Sequence, residues 1–176
     1  SAAQEQRIEA IVADASWQVP AGTHAPGTDA ELTPHYVAHL RQILDGAGPL
    51  AGAPIVIDCA HGATTTIAPA LFTALGFDVR PIGNAPDGRN INEGCGSTHP
   101  EELQRVMQDR AADIGLAFDG DADRVFAVDE RGDLVDGDQI IGMCAIDRRD
   151  RGLLADDTVV VTVMSNLGFR RGMALT

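Results

Sequence analysis

The chain has 176 residues, 44% hydrophobic and 22% charged, which is apolar material enough for one folded domain with pieces of its neighbours. The net charge is −13 and all 13 basic residues are Arg. That balance argues against a broad basic face for nucleic acid, and the lack of Lys removes Schiff-base and phosphate-loop lysine chemistry. No apolar run approaches a membrane span, and the dispersed Cys59, Cys95 and Cys144 fit a reducing cytoplasm better than a disulfide framework or a zinc site.

Residues 5–13 predict a short helix with Ile8, Ile11 and Val12 on one side. Pro20, Gly22 and Pro26-Gly27 make 17–32 a linker or an ordered crossing segment. Thr33-Pro34 predicts a capped helix start, and Tyr36, Val37, Leu40, Ile43 and Leu44 keep helical spacing to about Asp45-Gly46. The rhythm then changes. The run 53–58 is continuously apolar up to Asp58 and reads as a buried strand, followed by a helix over 64–75 and a strand over 77–82. A loop rich in Gly, Pro and Asn fills 83–97, and Thr98-His99-Pro100-Glu101 has capping-box spacing for a helix to Arg110. Strands at 113–118 and 125–128 flank a six-residue loop, too short for a crossover, so this pair is antiparallel. A turn at 130–133, a helix over 137–151 and a last strand over 158–164 complete the pattern. Alternating strands and helices give a layered α/β domain whose sheet is mixed and mostly parallel.

The chemistry concentrates in Asp119-Gly120-Asp121-Ala122-Asp123-Arg124. Three carboxylates at alternate positions of a tight loop repel one another without a cation, and hard oxygen donors at this density suit Mg²⁺. Gly120 lets the backbone bend, and Arg124 stands where it can grip a phosphate at the same ion. Two other readings are weaker. A solvated acidic turn does not account for three Asp and an Arg between buried strands. An EF-hand calcium loop matches Asp119, Asp121, Asp123 and Glu130, but it needs glycine where Arg124 stands and helices where strands lie.

The loop resembles the metal-binding loop of the α-D-phosphohexomutase superfamily. The segments 58–63, 94–101, 135–140 and 163–168 add to the likeness in the family's order, and they favour its glucosamine branch. One departure is Ala122, often glycine in the family, which is strained if the position needs positive φ. The resemblance implies four domains around one cleft, exchanging the 6-phosphate and 1-phosphate of a sugar through a bisphosphate. A phosphoserine on the first domain carries the phosphoryl group, and Mg²⁺ on the second binds it. It further implies Asp119, Asp121 and Asp123 as metal ligands and Arg124 as a phosphate contact. On this reading 1–16 is a helix ending domain one, 17–32 a linker, 33–152 domain two, and 153–176 the start of domain three. The phosphoserine segment and the sugar-recognition loop are not found, so the isolated chain is expected to be inactive. Its partners are then a phosphosugar and the neighbouring domains. A glucose or mannose phosphate mutase and a stand-alone divalent-ion module remain open.

Several residues fall outside this site. His35 and His39 read as solvent-facing, His61 as a turn residue bonding nearby backbone, and Ser165 as a turn residue. Asp136 reads as a helix cap rather than, with Asp138, a second metal site. The two Asn of 87–92 can bond their own loop, which leaves Arg89 outside, and the cysteines read as small buried residues. The strand over 158–164 is expected to dock on the domain, pair with a second copy, or stay disordered.

Overall fold

A computed structural model describes residues 1–14, 16, 32–43, 52–109 and 112–174; the linker over 17–31 and the end of the second predicted helix lie outside the described residues. The chain divides into two units, Ser1–Tyr36 and Val37–Thr176. In the first, α1 (Ala2–Ala13) carries a capping box between Ser1 and Gln4 and has no buried residue. Helix α2 (Leu32–Ile43) runs across the division, with His35 and His39 exposed.

The second unit is built on a five-stranded sheet of order β2-β1-β3-β4-β5. Its strands are β1 (Pro54–Asp58), β2 (Asp78–Ile82), β3 (Ile114–Phe118), β4 (Val125–Asp129) and β5 (Leu134–Val135). Helices α3 (Ile67–Ala74) and α4 (Glu101–Asp109) make the crossovers into β2 and β3, and α5 (Gly137–Asp150) follows β5. The mixed α/β sheet is as expected: β1 pairs parallel with β2 and β3, while β3–β4 and β4–β5 are antiparallel. The two-residue β5 is too short to show as a pattern in sequence.

Side-chain alternation on β1 sorts the core into two layers. Ile55 and Ile57 pack with Cys59 and Ala68 on the α3 side, joined by Phe72 and Phe77. Val56 packs on the other side with Leu103, Val106 and Met107 of α4, whose spacing places them on one helical stripe. The central strand is therefore apolar on both faces, as its unbroken run requires. Helix α4 begins at Glu101 rather than a turn earlier, because the Pro100 carbonyl, not Thr98, opens its ladder by accepting from Gln104 N–H at 2.9 Å.

The segment over 158–164 is not a strand. It runs as irregular chain with Val160 and Val163 each 90% exposed, and a last helix, α6 (Leu167–Met173), follows it. A β-branched run with no neighbouring strand has no ladder to join, so local pattern alone does not make it a strand. Docking falls to α6: Asn166 caps it through Phe169 N–H and donates its own N–H to Asp138 Oδ2 at 2.7 Å. The strand-mediated self-association expected from sequence loses its strand.

At the carboxyl-terminal ends of the parallel strands, three loops meet backbone to backbone. Ala63 N–H donates to Gly120 O at 2.8 Å, Asn92 N–H to Ala60 O at 2.9 Å, and Ser97 N–H to Phe118 O at 2.9 Å. A methyl group on Gly62 would collide with the Gly120 carbonyl. We predict that Gly62→Ala lowers unfolding free energy by roughly 1–3 kcal/mol, the usual cost of overpacking, measured by urea denaturation; an unchanged midpoint would refute the close approach.

Candidate metal centre

The loop 119–124 leaves the end of β3 and returns as β4, the two strands pairing Phe118 with Val125 at its neck. It lies at the carboxyl edge of the parallel strands, where open α/β sheets present their sites. Asp119 is fixed by its surroundings. Its side chain is 1% exposed, Oδ1 accepts Arg124 N–H at 3.0 Å, and Oδ2 accepts Arg124 Nε at 2.7 Å. Asp121 and Asp123 are exposed, and one oxygen from each of the three carboxylates can be chosen so that all lie within 4.8 Å of one another. A hard divalent cation suits this donor set, and the residues fit the group the sequence implies.

Arg124 also pairs within its own loop. Its closest approaches to Asp119 and Asp123, 2.7 and 3.4 Å, both run through Nε, and its side chain is 67% exposed. The guanidinium thus neutralises part of its own loop. Burial pushes the Asp119 carboxyl upward, but the Arg124 backbone N–H and guanidinium outweigh it and hold the group down at about 2.

Ala122 sits at φ 65°, so the strain anticipated for a non-glycine residue is present. Gly120 is needed for a different reason than bending: a Cβ there would meet Ile91 at 2.6 Å and Asn92 Nδ2 at 2.8 Å. The 87–92 loop, read from sequence as outside the site, therefore packs directly on the metal loop. The only local signal was Asn92, a residue type that tolerates the left-handed backbone it adopts at φ 57°.

The remaining candidates resolve as structure. His61 Nδ1 accepts Ala85 N–H at 3.1 Å, and Asp87 and Asn90 bond the backbone of their own loop. Asp136 caps α5 in a reciprocal box with Gln139, and Asp138 holds Asn166. Cys59 and Cys95 are buried, burial pushing the Cys59 thiol up to about 11. Cys144 is exposed, against expectation, because it falls on an outer position of α5.

A family model for the phosphoglucomutase/phosphomannomutase alpha/beta/alpha domain II matches residues 34–132, more than half of the 176. The chain belongs to this family. Among curated phosphomutase relatives, the phosphoglucosamine mutase of Thermoanaerobacter sp. (strain X514) is 52% identical over 169 residues, covering 94% of this chain and 37% of that protein. That of Symbiobacterium thermophilum is 47% identical over 165 residues, with 93% and 37% covered. The chain thus spans 37% of the length of these relatives. A solved phosphoglucomutase/phosphomannomutase family protein from Burkholderia thailandensis aligns with TM-score 0.63 at 27% identity, over 85% of this chain and 32% of the other. Among the described residues no helix is long and apolar enough to cross a membrane.

Two outcomes follow for this phosphomutase domain. Ala122→Gly should stabilise it by roughly 0.5–1 kcal/mol, relief of left-handed strain exceeding the entropy that glycine loses on folding, as a raised urea midpoint. In a carboxyl-carbon NMR titration, Asp119 should stay ionised until about pH 2. Because its folded value is depressed, its stabilisation is full above the ordinary carboxylate value of ~3.9 and is lost as pH falls toward that lower one.

Proposed function

We infer that this chain is the metal-binding second domain, with flanking pieces, of a phosphoglucosamine mutase, an isomerase exchanging glucosamine 6-phosphate and glucosamine 1-phosphate. The domain is taken as 33–152. The observation that carries the reading is the Asp119, Asp121 and Asp123 cluster, its oxygens within 4.8 Å, on a loop that also bears Arg124. The names and identities of the curated relatives support the sugar. The phosphoserine that carries the phosphoryl group belongs, on this reading, to the rest of a longer chain, so the 176 residues alone are inactive.

The residues divide the work. Asp119 is buried and pinned, so it supplies a fixed oxygen; Asp121 and Asp123 are exposed and can adjust around an ion. Held by these three, Mg²⁺ would supply positive charge against the negative charge of a phosphoryl group in transfer. Arg124, rigidly based on Asp119, offers its guanidinium edge to that phosphoryl group. Glycine contacts at 62 and 120 hold the loop in register with the sheet edge, so little reorganisation is left for the moment of reaction.

Calorimetric titration with Mg²⁺ tests the site. The wild-type chain should bind, and Asp121→Asn should weaken binding by at least ~tenfold, at the low end of what even outer-shell changes cost. Equal affinity in the two proteins would reject the assignment. In the longer enzyme, a preference for an unaminated hexose phosphate would shift the reading to a glucose or mannose phosphate mutase.

A further inference from the structure

The two peptides that flank Gly120 are held unequally. The Gly120 carbonyl accepts Ala63 N–H at 2.8 Å, so the peptide leading on to Asp121 is fixed against the loop after β1. The Gly120 N–H, on the peptide leaving Asp119, has no acceptor among the described residues, although Gly120 is buried. A buried backbone donor without an acceptor is rare and destabilising. This one stands between the pinned carboxylate, Asp119, and the exposed one, Asp121.

An acceptor with the complementary need lies beside it. Asn92 Oδ1 is shut off from solvent and receives no hydrogen bond among the described residues. The same amide group stands against Gly120, where a Cβ would lie 2.8 Å from Asn92 Nδ2. A half-turn about the Cβ–Cγ bond of Asn92 exchanges Oδ1 and Nδ2 in nearly the same space. A single water between the loops would serve without that turn.

The junction is held from several sides. Asn92 N–H donates to Ala60 O at 2.9 Å. Ile91 meets Gly120 as well, its Cδ1 2.6 Å from where a Cβ would stand. Asp87 and Asn90 close the 87–92 loop on itself. The backbone alone does not call for an asparagine here: at φ 57° a glycine would be less strained. What asparagine adds is the amide.

We propose that Asn92 is a positioning residue of the metal loop, its side-chain carbonyl accepting from Gly120 N–H directly or through one buried water. It touches neither ion nor substrate. By fixing the peptide between Asp119 and Asp121 it sets the spacing of the two carboxylates and removes a rotation that an ion would otherwise have to freeze. The inference rests on the metal reading above and extends it to a loop that supplies no ligand.

The test compares the wild-type chain with Asn92→Gly and Asn92→Asp, by amide hydrogen exchange in NMR and by calorimetric titration with Mg²⁺. The Gly120 amide should be protected in wild type and exchange about tenfold faster in Asn92→Gly, the loss of one hydrogen bond. Asn92→Asp keeps an acceptor oxygen and should keep the protection. A cross-peak from water to that amide marks the bridged form and its absence the direct one; both sustain the proposal. Glycine suits the left-handed backbone, so Asn92→Gly stays folded, and its Mg²⁺ affinity should fall about tenfold, at the low end of what outer-shell losses cost. Unchanged Mg²⁺ affinity would make Asn92 a merely structural residue and overturn the proposal. Equal Gly120 exchange in wild type and Asn92→Gly would overturn it as well. Either result, with wild type binding Mg²⁺, leaves the three-carboxylate site standing. If wild type binds no Mg²⁺, the metal reading falls and the positioning role falls with it.

Discussion

The Asp58 carboxylate is fully buried at the end of the central strand, where removal from water is tolerable only because backbone donors replace it. Oδ1 accepts Ala60 N–H at 3.0 Å and Oδ2 accepts Gly96 N–H at 2.7 Å. One side chain thus turns the exit of β1 and ties it to a loop 38 residues further on. That tie leaves no room for a side chain at Gly96, and it sets Ser97 against Phe118, the residue from which the metal loop departs. The position of the acidic loop is in this sense inherited. It follows from how closely three backbones are drawn together at one edge of the sheet, and that closeness follows from a buried charge that must find donors.

The same crowding accounts for four of the six left-handed non-glycine residues among the described residues; Asp156 and Asp157 lie in a separate short turn. Ala60, His61, Asn92 and Ala122 all adopt left-handed backbone, each at a cost that an L-residue avoids elsewhere. All four belong to loops at the carboxyl edge. Their backbone groups are engaged there: His61 N–H donates to Gly83 O and Asn92 N–H to the Ala60 carbonyl. The surrounding hydrogen bonds over-determine the conformations, which is the condition under which such strain persists. A looser edge would relax Ala122 and, with it, the spacing of Asp121 and Asp123.

What could be read in advance divides along a physical line. The strands β1 to β4, helices α3 to α5 and the antiparallel pair around the acidic loop were legible because each is written in contiguous residues, as periodicity, capping or short spacing. The three Asp and Arg124 were legible for the same reason. The approach of Ser97 to Phe118 was not, since only the folded sheet edge brings them together. Nor was the contact of Ile91 and Asn92 with Gly120, which is a matter of missing atoms rather than present ones. The failure over 158–164 has the opposite cause: its Val-rich local pattern was clear, but strand formation needs a partner, and the residues that followed formed a helix on α5 instead. Cys144 was misjudged because residue type speaks for average burial, not for the face of α5 on which it falls.

Arg124 shows why the basic residue here is an arginine in a chain that contains no lysine. An ammonium is one point of charge, and paired with the buried Asp119 it would be largely spent. A guanidinium spreads its charge over a fork, so Nε can hold Asp119 at 2.7 Å while the far edge remains able to meet a second anion. The charge count of the loop then gains a chemical meaning. Three carboxylates less one guanidinium leave a formal deficit of two positive charges on Asp119, Asp121, Asp123 and Arg124, which is what a divalent cation supplies. On the proposed reading, a loop so neutralised can admit a phosphoryl dianion. The order of the electrostatics is therefore fixed by the residues themselves: arginine steadies the buried carboxylate, the ion balances the exposed pair, and the phosphate comes last.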